Sequence, residues 1–451
     1  MTLRPPAPAH SFEPGPPRRT ARTQPGMAME HDAAADRRVV EGGERSTRGR
    51  GPRPEGRWLA FAMVGAYFAL LAHGAARTSL ADSWASLGVP VKEAAAGPVL
   101  ASDLYFVLAT AECDRRGEDV YVRNPCDPWE RRMNYPRVWI WLARAGPWGA
   151  DDAALVGAAI GALFFASVFL LLGRLSLVEG LVVGALLVSR SVMLGVERGN
   201  VDLLMFALVA LAILLIETRG YATVAYGTIF LAGVLKYFPV AALACLARER
   251  RPYALRLGGL LGAAFTLYLA VTWADLRLIR HSIPFFLYRS FGGPVLFEIA
   301  AGHLRERGHD ATSYWATGLY AAAILVALVL AAVAAHRAPF DGSASRLDGF
   351  RAGAAIYVLT YVLYTNFDYK QIFLLLLLPQ LFEWAHRGGG EGVRAVAALG
   401  ACCITFWFSD WGHLFVGAEL VNFALFLYCA FELWRTRPPW CWRAVATSRA
   451  A

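Results

Sequence analysis

The stretch "SRSVMLGVERGNVDLLMFALVALAILLIE", from Ser189 to Glu217, places polar side chains inside a long apolar run. Glu197, Arg198, Asn200 and Asp202 interrupt that run where an uninterrupted apolar helix would otherwise be expected. Ionisable groups at membrane depth are costly, so they normally face a protein interior or a water-filled cavity. The stretch therefore predicts a membrane-embedded helix that begins at a polar cavity.

The composition of the whole chain supports a membrane protein. Of its 451 residues, 57% are hydrophobic, and the mean hydropathy is +0.41. Soluble domains are less apolar, so the predicted fold class is an all-α, polytopic membrane bundle. The net charge of +9 comes from arginines that cluster in short loops, which indicates membrane topology and not a nucleic-acid partner.

Three regions are expected along the chain. Residues 1–56 are rich in Pro, Arg, Gly and Ala and lack apolar periodicity, which predicts a disordered cytoplasmic tail. Residues 57–435 should form the membrane domain. Residues 436–451 should form a second cytoplasmic tail.

Several apolar runs are long enough, or nearly so, for a spanning helix of about 20 residues. The run at 222–247 differs because "LKYFP" breaks it at Leu235–Pro239, and proline disfavours helix at the residue before it. The other predicted segments are 58–75, 153–172, 177–193, 200–217, 255–274, 314–335, 350–366, 370–386, 395–409 and 413–434.

Positive charge predicts the orientation of these segments, since short cytoplasmic loops are enriched in Lys and Arg. Arg219 and the loop "RERRPYALR" lie at the two ends of 222–247, so both ends are expected inside. That run should then enter the membrane and return as two half-helices with Lys236 near the tip. Together this predicts about twelve membrane segments in the cytoplasmic membrane. The other supporting arginines are Arg174, Arg337, Arg346, Arg351, Arg387, Arg394, Arg435 and Arg437.

This topology brings distant polar segments to the extracytoplasmic face. They are the loop 76–152, "ERGNVD", Lys236, the loop 275–313, "NFDYK" at 366–370 and "SDWGH" at 409–413. Each has two interpretations. Asp103, Asn200 and Asp202 are helix caps or cavity walls, and Lys236 snorkels to the interface or holds an anion. The segment 366–370 is either a solvated turn or part of a substrate-binding site that includes Asn366, Asp368, Tyr369 and Lys370. The cations Arg277, Arg280, His281 and Arg289 suit a lipid phosphate or plain headgroup contact.

The loop 76–152 predicts two helices at the membrane surface. Residues 102–112 place Leu104, Val107, Leu108 and Ala111 on one face, and "NYPRVWIWLARAG" follows, with Trp139 and Trp141 as expected headgroup anchors. Cys113 and Cys126 share this loop and are able to form a disulfide if it faces an oxidising compartment. The cysteines in apolar runs, Cys245, Cys402, Cys403 and Cys429, are expected to be core residues.

The sequence lacks the motifs that are typical of several enzyme classes. The sequence contains no Walker A motif, no GxGxxG after a strand, no HExxH and no GxSxG nucleophile elbow. A cytoplasmic nucleotide substrate and a zinc peptidase are therefore not expected.

The order of the motifs resembles glycosyltransferase family 87, which groups polytopic GT-C membrane enzymes. The matching elements are an acid before "LY" at Asp103, "G.D.Y", "YP", "ERGN.D", "LK.FP" before an arginine-rich loop, and "N.DY" before a leucine-rich helix. The resemblance covers roughly 58–435. This chain departs from the family where it has Tyr135-Pro136-Arg137 for "YPP" and Lys236-Tyr237-Phe238-Pro239 for "KPYP".

The resemblance implies an inverting hexosyltransferase that moves a sugar such as mannose from polyprenyl phosphate to a hydroxyl of a lipid-linked or envelope glycan acceptor. Asp103 would be the general base, Lys236 or an outer arginine would stabilise the phosphate, and Glu197 or Asp202 the oxocarbenium-like centre. No metal or other cofactor is expected. The implied substrate-binding residues are Tyr105, Tyr135, Glu197, Arg198, Asn200, Asp202, Lys236, Asp368, Tyr369 and Lys370, with Trp139 as a further aromatic candidate.

Two other functions remain open from the sequence. A transporter or flippase of a lipid-linked saccharide would also need buried charge and a lipid groove, although no paired broken helices in two halves are visible. A non-catalytic partner in a cell-envelope complex is the third hypothesis.

Overall fold

The structure is a computed structural model that describes residues 55–218, 220–283, 289–308, 313–338, 340, 346–363, 365–409, 414–438 and 440. The predicted tail at 1–56 lies outside this part except for its last two residues, as do 441–451 of the second tail. Arg219 and Asp410–His413 of "SDWGH" also lie outside the described residues.

The described chain is mostly helical. Its first half contains α1 (Glu55–Ala75), α2 (Leu80–Ser86), α3 (Ser102–Arg115), α4 (Val138–Ala145), α5 (Ala153–Leu172), α6 (Leu177–Leu187), α7 (Arg190–Glu197), α8 (Asp202–Glu217) and α9 (Ala222–Lys236). Its second half contains α10 (Arg251–Val271), α11 (Trp273–Ser282), α12 (Gly293–Glu306), α13 (Ser313–Arg337), α14 (Leu347–Leu363), α15 (Leu378–Arg387), α16 (Gly389–Phe408) and α17 (Phe415–Arg435). Two longer 3₁₀ helices, Phe238–Arg248 and Asp368–Leu377, complete the bundle.

Two small antiparallel ladders accompany the helices. β1 (Lys92–Ala94) and β2 (Gly97–Val99) form a hairpin in the loop 76–152. β3 (Ser290–Phe291) pairs with β4 (Asn366–Phe367), with Ser290 opposite Phe367. The second ladder joins the chain after α11 to the chain after α14, far away in sequence.

Among the described residues, six helices are long and apolar enough to cross a membrane, or up to seven if the bent pair α6 and α7 counts as one span. These features support the predicted all-α membrane fold. The predicted number of about twelve segments is not confirmed. Several of the predicted spans are shorter or broken: 177–193 is two helices that meet at 49°, and 370–386 is a 3₁₀ helix followed by α15.

The predicted break in 222–247 is confirmed. α9 ends at Lys236, and the second half, Phe238–Arg248, is a 3₁₀ helix. The backbone turns at Tyr237, which has a left-handed φ of 54°. Gly233 allows the two halves to pack closely, since a Cβ there would lie 2.9 Å from the Cβ of Val240.

The short helices form the interior and the long ones surround them. α8 is buried along most of its length, and so is the 3₁₀ helix Asp368–Leu377. In contrast, α10 has Ala254 as its one buried residue, and leucines such as Leu260 and Leu267 are about two-thirds exposed. An apolar helix exposed on nearly all sides needs a lipid environment, so the bundle is suited to a membrane.

The loop 76–152 folds into a compact cap on the bundle. Both predicted helices form, as α3 and α4, and Cys113 and Cys126 are joined by a disulfide. α3 is not a surface helix with one apolar face, because all of 106–111 is buried. Trp139 is not a headgroup anchor either: it is buried and its indole N–H donates to the carbonyl of Leu235 at 2.8 Å, whereas Trp141 is 61% exposed.

The basic loops meet at the other end of α14. Arg248 pairs with Asp348, Arg435 pairs with both Glu391 and Glu432, and Arg394 also reaches Glu432. α14 runs from Asp348 in this network to Leu363, just before Asn366. A helix of that length separates the two ends by roughly 25 Å.

Candidate functional site

Asp103 lies in the first turn of α3, and the end of α7 holds that turn in place. N–H groups at a helix start have no partner inside the helix. Here the N–H of Ala101 donates to the carbonyl of Glu197 at 2.9 Å, and the N–H of Asp103 donates to the carbonyl of Arg198 at 3.0 Å. The "ERGN" turn therefore fixes the helix that carries Asp103.

Gly199 makes this crossing possible. Its φ of 56° is left-handed, and a Cβ there would lie 2.9 Å from the Cβ of Ala101. The same Cβ would be 3.3 Å from the Cα of Gly157 on α5. A side chain at residue 199 would push α3 away from the turn that positions Asp103.

Two donors orient the Asp103 carboxylate. The side-chain amide of Asn200 donates to Oδ2 at 2.7 Å, and Arg131 Nη1 lies 3.4 Å from Oδ1. Arg198 is a more distant cation at 3.9 Å. The Asp103 side chain is 14% exposed, so it is held by the protein and still reaches the cavity described below.

Arg131 is itself fixed by its surroundings. Its guanidinium donates to both carboxylate oxygens of Asp127, at 2.7 and 3.0 Å, and to the carbonyl of Ser102 at 2.7 Å. It also stacks over the rings of Phe106 and Trp129, each at 4.7 Å. A fork-shaped guanidinium with this many contacts is a rigid cation next to Asp103.

A buried ion pair lies behind Asn200. Lys236 Nζ is 2.6 Å from Asp202 Oδ1 and 4.7 Å from the centre of the Tyr135 ring. The Asn200 amide oxygen accepts from the N–H of Asp202 in the first turn of α8 at 2.9 Å, which is one of the two interpretations that the sequence left open, and it lies 3.5 Å from Lys236 Nζ. Asn200 thus connects the Asp103 carboxylate with the Asp202–Lys236 pair.

A cavity of about 500 Å³ opens in front of Asp103. Its described lining combines one carboxylate with five cations and several aromatic rings. The lining residues are Lys92, Asp103, Phe106, Arg131, Arg132, Asn134, Tyr135, Leu194, Arg198, Ser282, Arg289, Phe367 and Tyr369. Such a lining suits a sugar, which packs on aromatic rings, next to an anionic group, which binds arginine.

Burial and the neighbouring charges of this cavity change the pKa of Lys92. Burial and, to a lesser extent, repulsion from Arg131 and Arg198 together lower the pKa of Lys92 to about 8. Asp103 and Asp127 act in the opposite direction but do not offset these effects.

A second, smaller cavity of about 100 Å³ adjoins the first one and shares Tyr135 and Tyr369 with it. It contains the two buried lysines Lys236 and Lys370. Its lining residues are Asn134, Tyr135, Lys236, Ile283, Ser290, Thr365, Asn366, Phe367, Tyr369 and Lys370. Lys370 donates to the amide oxygen of Asn366 at 2.7 Å.

An apolar groove of about 430 Å³ reaches the other side of the α3 start. Small residues of α5 form its floor, including Gly157 and Gly161, and Phe68 and Trp84 form part of its wall. Ala101 and Glu197 close the end nearest Asp103. The groove has the shape and polarity of a site for a hydrocarbon chain.

Most of the predicted site residues meet here. Asp103, Tyr135, Arg198 and Tyr369 line the large cavity, Lys236 and Lys370 line the small one, and Asn200 bridges them. Four other predicted residues are placed elsewhere. Asp202 is fully buried behind Lys236, Glu197 faces the apolar groove and pairs with Arg198, Asp368 lies in a separate gap, and Tyr105 is not among the residues that line either cavity.

The positions of Glu197 and Asp202 bear on the predicted chemistry. Asp202 is bound to Lys236 and has no exposed surface, and Glu197 is turned away from Asp103's cavity. Neither carboxylate is therefore available to a sugar in the large cavity. Trp139 supports Tyr135 from behind and does not line the cavity.

Sequence reasoning missed several cavity residues: Lys92, Phe106, Arg131, Arg132 and Asn134. All of them lie in the loop 76–152, where charged residues are common and carry little information. The proximity of Arg131 to Cys126 was one available signal, since the disulfide ties this segment to α3. Of the four cations noted at 277–289, only Arg289 lines the cavity.

Among the described residues, no group of three or more His, Cys, Asp or Glu side chains is gathered in a way that would hold a metal ion. Comparison of the chain with protein-family models, curated proteins and solved structures found no match. The resemblance to glycosyltransferase family 87 therefore depends on the motifs alone.

Proposed function

We propose that this chain is a membrane glycosyltransferase. It would transfer a hexose such as mannose from a polyprenyl-phosphate donor to a hydroxyl of a lipid-linked or envelope glycan acceptor. The main support is Asp103, an oriented carboxylate in the wall of a cavity lined by aromatic and cationic side chains. The motif order adds to it, because Asp103, Tyr135, Arg198 and Tyr369, which belong to four of the motifs, all line this cavity.

In the proposed reaction, Asp103 accepts the proton of the acceptor hydroxyl as its oxygen attacks the anomeric carbon. A carboxylate has about four lone-pair positions, and Asn200 and Arg131 occupy two of them, which leaves room for the hydroxyl. The bond from the anomeric carbon to the phosphate oxygen breaks as the new glycosidic bond forms. A single displacement of this kind inverts the anomeric configuration, and the phosphate leaves with the electron pair.

The leaving phosphate would bind next to Lys236 and Lys370. Both ammonium groups line the small cavity, which shares Tyr135 and Tyr369 with the cavity of Asp103. Positive charge at this point stabilises the charge that develops on the phosphate oxygen. The apolar groove beside Ala101 suits the hydrocarbon chain of one of the lipid substrates.

The site is proposed to face the extracytoplasmic side. The disulfide between Cys113 and Cys126 lies in the loop that carries Asp103, and disulfides persist mainly in oxidising compartments. The basic loops at the opposite end of the bundle favour the cytoplasm.

One feature favours a transporter of lipid-linked saccharides as a second candidate. Two short helices, Phe238–Arg248 and Asp368–Leu377, each begin next to the small cavity, and transporters often place broken helices at their substrate sites. Reconstitution in vesicles separates the two functions. A transferase forms a new glycosidic bond in detergent, whereas a transporter moves an intact lipid between leaflets and forms no product.

Asp103→Asn tests the catalytic assignment. It keeps the shape and loses the base, so transfer from a polyprenyl-phosphate sugar should fall by about 10²–10⁴-fold. Asp114→Asn is a matched control, because Asp114 lies on the same helix and pairs with Arg144 outside the cavity. Product formation is measured on purified protein, together with thermal unfolding. A fully active Asp103→Asn protein would remove Asp103 as the base.

A further inference from the structure

The cations of the site belong to two separate groups. Lys236 and Lys370 line the small cavity. Lys92, Arg131, Arg132 and Arg198 line the large one, together with Arg289. Four residues line both cavities, which therefore adjoin: Asn134, Tyr135, Phe367 and Tyr369.

The two groups of cations line different cavities that adjoin at Tyr135 and Tyr369. A donor phosphate at Lys236 and Lys370 would occupy the small cavity, whose lining includes none of the cations of the large one. The cations of the large cavity are therefore available to a different anion.

The carboxylates at or next to the large cavity are fewer than the cations that line it. Asp127 pairs with Arg131, and Glu197 pairs with Arg198. Within the described part of the chain, Lys92 and Arg132 have no carboxylate within ion-pair distance. Asp103, the remaining carboxylate, is already contacted by Asn200 and Arg131.

Lys92 is held in place as an isolated cation. Its ammonium lies 4.1 Å from the centre of the Trp129 ring, and the Arg131 guanidinium lies 4.7 Å from the same ring centre. The Trp129 indole N–H donates to the carbonyl of Glu93 at 2.8 Å, which ties the ring to the β1–β2 hairpin. Burial is the main cause of the lowered pKa of Lys92, and repulsion from Arg131 and Arg198 adds to it.

We propose that Lys92, Arg131, Arg132 and Arg198 form a second anion-binding subsite, which takes a phosphate or carboxylate group carried by the acceptor. Assigning this group to the acceptor rests on the proposed transferase function. The subsite itself depends only on the geometry and charge of the large cavity. The acceptor hydroxyl would then be held at Asp103 by a charge beside it, while the donor phosphate lies in the adjoining small cavity at Lys236 and Lys370.

Phosphate binding tests the subsite without any transfer reaction. Titration of the purified protein with inorganic phosphate should show two binding events by calorimetry. Lys92→Met and Arg132→Gln should each weaken one event by about tenfold, whereas Lys236→Met combined with Asp202→Asn weakens the other. Arg123→Gln is the control, since Arg123 is exposed in the same loop and lines neither cavity. A single event that Lys92→Met and Arg132→Gln leave unchanged would overturn the proposal.

A pair of acceptors then tests the assignment to the acceptor. With an octyl mannoside and its phosphorylated counterpart, kcat/KM should be higher for the phosphorylated compound. Lys92→Met should lower the ratio of the two values at least tenfold, and Lys92→Arg should preserve it. An unchanged ratio in Lys92→Met would refute an acceptor-borne anion. Absence of transfer to either acceptor would count against the transferase function, and the two phosphate-binding events would still decide the subsite.

Discussion

At the scale of single residues, the Asp202–Lys236 pair is expected to contribute both to the stability of the protein and to the binding of the donor phosphate. Both groups are buried and 2.6 Å apart, so removing one partner leaves an uncompensated charge inside the bundle. Loss of one member of such a pair costs about 3–5 kcal/mol, whereas replacing both with neutral groups is often tolerated. Lys236→Ala alone therefore changes the stability of the protein and the binding of the donor phosphate at the same time.

We expect Lys236→Ala to lower thermal stability and weaken donor use. The double variant Lys236→Met with Asp202→Asn removes both charges and should recover most of the stability, because no buried ion is left alone. Its KM for a polyprenyl-phosphate sugar should stay raised, since the phosphate has lost a cation. Unfolding curves and donor kinetics measure the two effects separately. Unchanged donor kinetics in the double variant would exclude Lys236 as a phosphate ligand.

Lys92 predicts a pH dependence of anion binding. Its pKa is about 8, and a lysine is cationic below its pKa and neutral above it. The groups that face it are Arg131, Arg198, Asp103 and Asp127, together with the Trp129 ring. Affinity for phosphate at this subsite should therefore decrease as the pH rises through about 8. Lys92→Arg should bind with little change over this range, because arginine remains charged; a steep decrease in that variant would point to a different titrating group.

At the scale of elements, the disulfide connects the folding of the loop 76–152 to the placement of Arg131. Cys126 is joined to Cys113 near the end of α3, and Asp127, the next residue, binds Arg131. Arg131 in turn contacts Asp103 at the start of the same helix. The disulfide thus fixes the position of Asp127, which binds Arg131, and Arg131 in turn contacts Asp103.

Reduction of this disulfide should reduce both stability and activity. Cross-linking residues 13 apart in sequence stabilises a fold by about 3 kcal/mol through the entropy of the unfolded chain. We expect Cys113→Ser with Cys126→Ser to lower the melting temperature and the rate of transfer, and added reductant to have the same effect on the unmodified protein. Cys403→Ser serves as control, since Cys403 is a free, half-buried cysteine. If reduced protein keeps both its melting temperature and its activity, the disulfide does not position Arg131.

Elements also show how far the sequence predicts this molecule. Apolar runs located the long helices, and the proline at residue 239 indicated the break after Lys236, which the structure places at Tyr237. The bend inside 177–193 was not predicted, because the run stays apolar through Val188 while Ser189 caps a new helix. Hydropathy also gives no sign of a 3₁₀ helix at Asp368–Leu377, whose leucines would suit an α-helix equally well.

The site was predictable where charge interrupts apolar sequence. Asp202 and Lys236 stand out in such runs, and both lie at the site even though Asp202 is closed off behind Lys236. Lys92 and Arg131 lie in a polar loop, where nothing in the local pattern distinguishes them from other charged residues. Their position depends on tertiary contacts with Trp129 and Asp127, which a single sequence does not reveal.

At the scale of the whole molecule, the bundle has two polar ends of different composition. One end contains the two cavities and the disulfide-linked loop. The other contains the arginine–carboxylate network around Glu391, Glu432 and Asp348. α16 connects them, since it begins at Gly389 near that network and ends at Phe408, just before Ser409, which lies near Arg289. A helix of its 20 residues is about 30 Å long, which matches a bilayer core.

This arrangement predicts that the two ends lie on opposite sides of the cytoplasmic membrane. Ala95 is an exposed residue in the turn of the β1–β2 hairpin, and Gly390 is exposed at the start of α16 with space for a side chain. In intact cells, Ala95→Cys should react with a membrane-impermeant maleimide, and Gly390→Cys should react only after the cells are opened. The other free cysteines in the described part are buried or half-buried, and Cys441, which lies outside it, is replaced by serine in both variants. Labelling of both positions from the same side would contradict the proposed orientation, because α16 would then not carry the chain across the membrane. Protection of Ala95→Cys with labelling of Gly390→Cys would place the cavities in the cytoplasm and remove the extracytoplasmic donor from the proposed reaction.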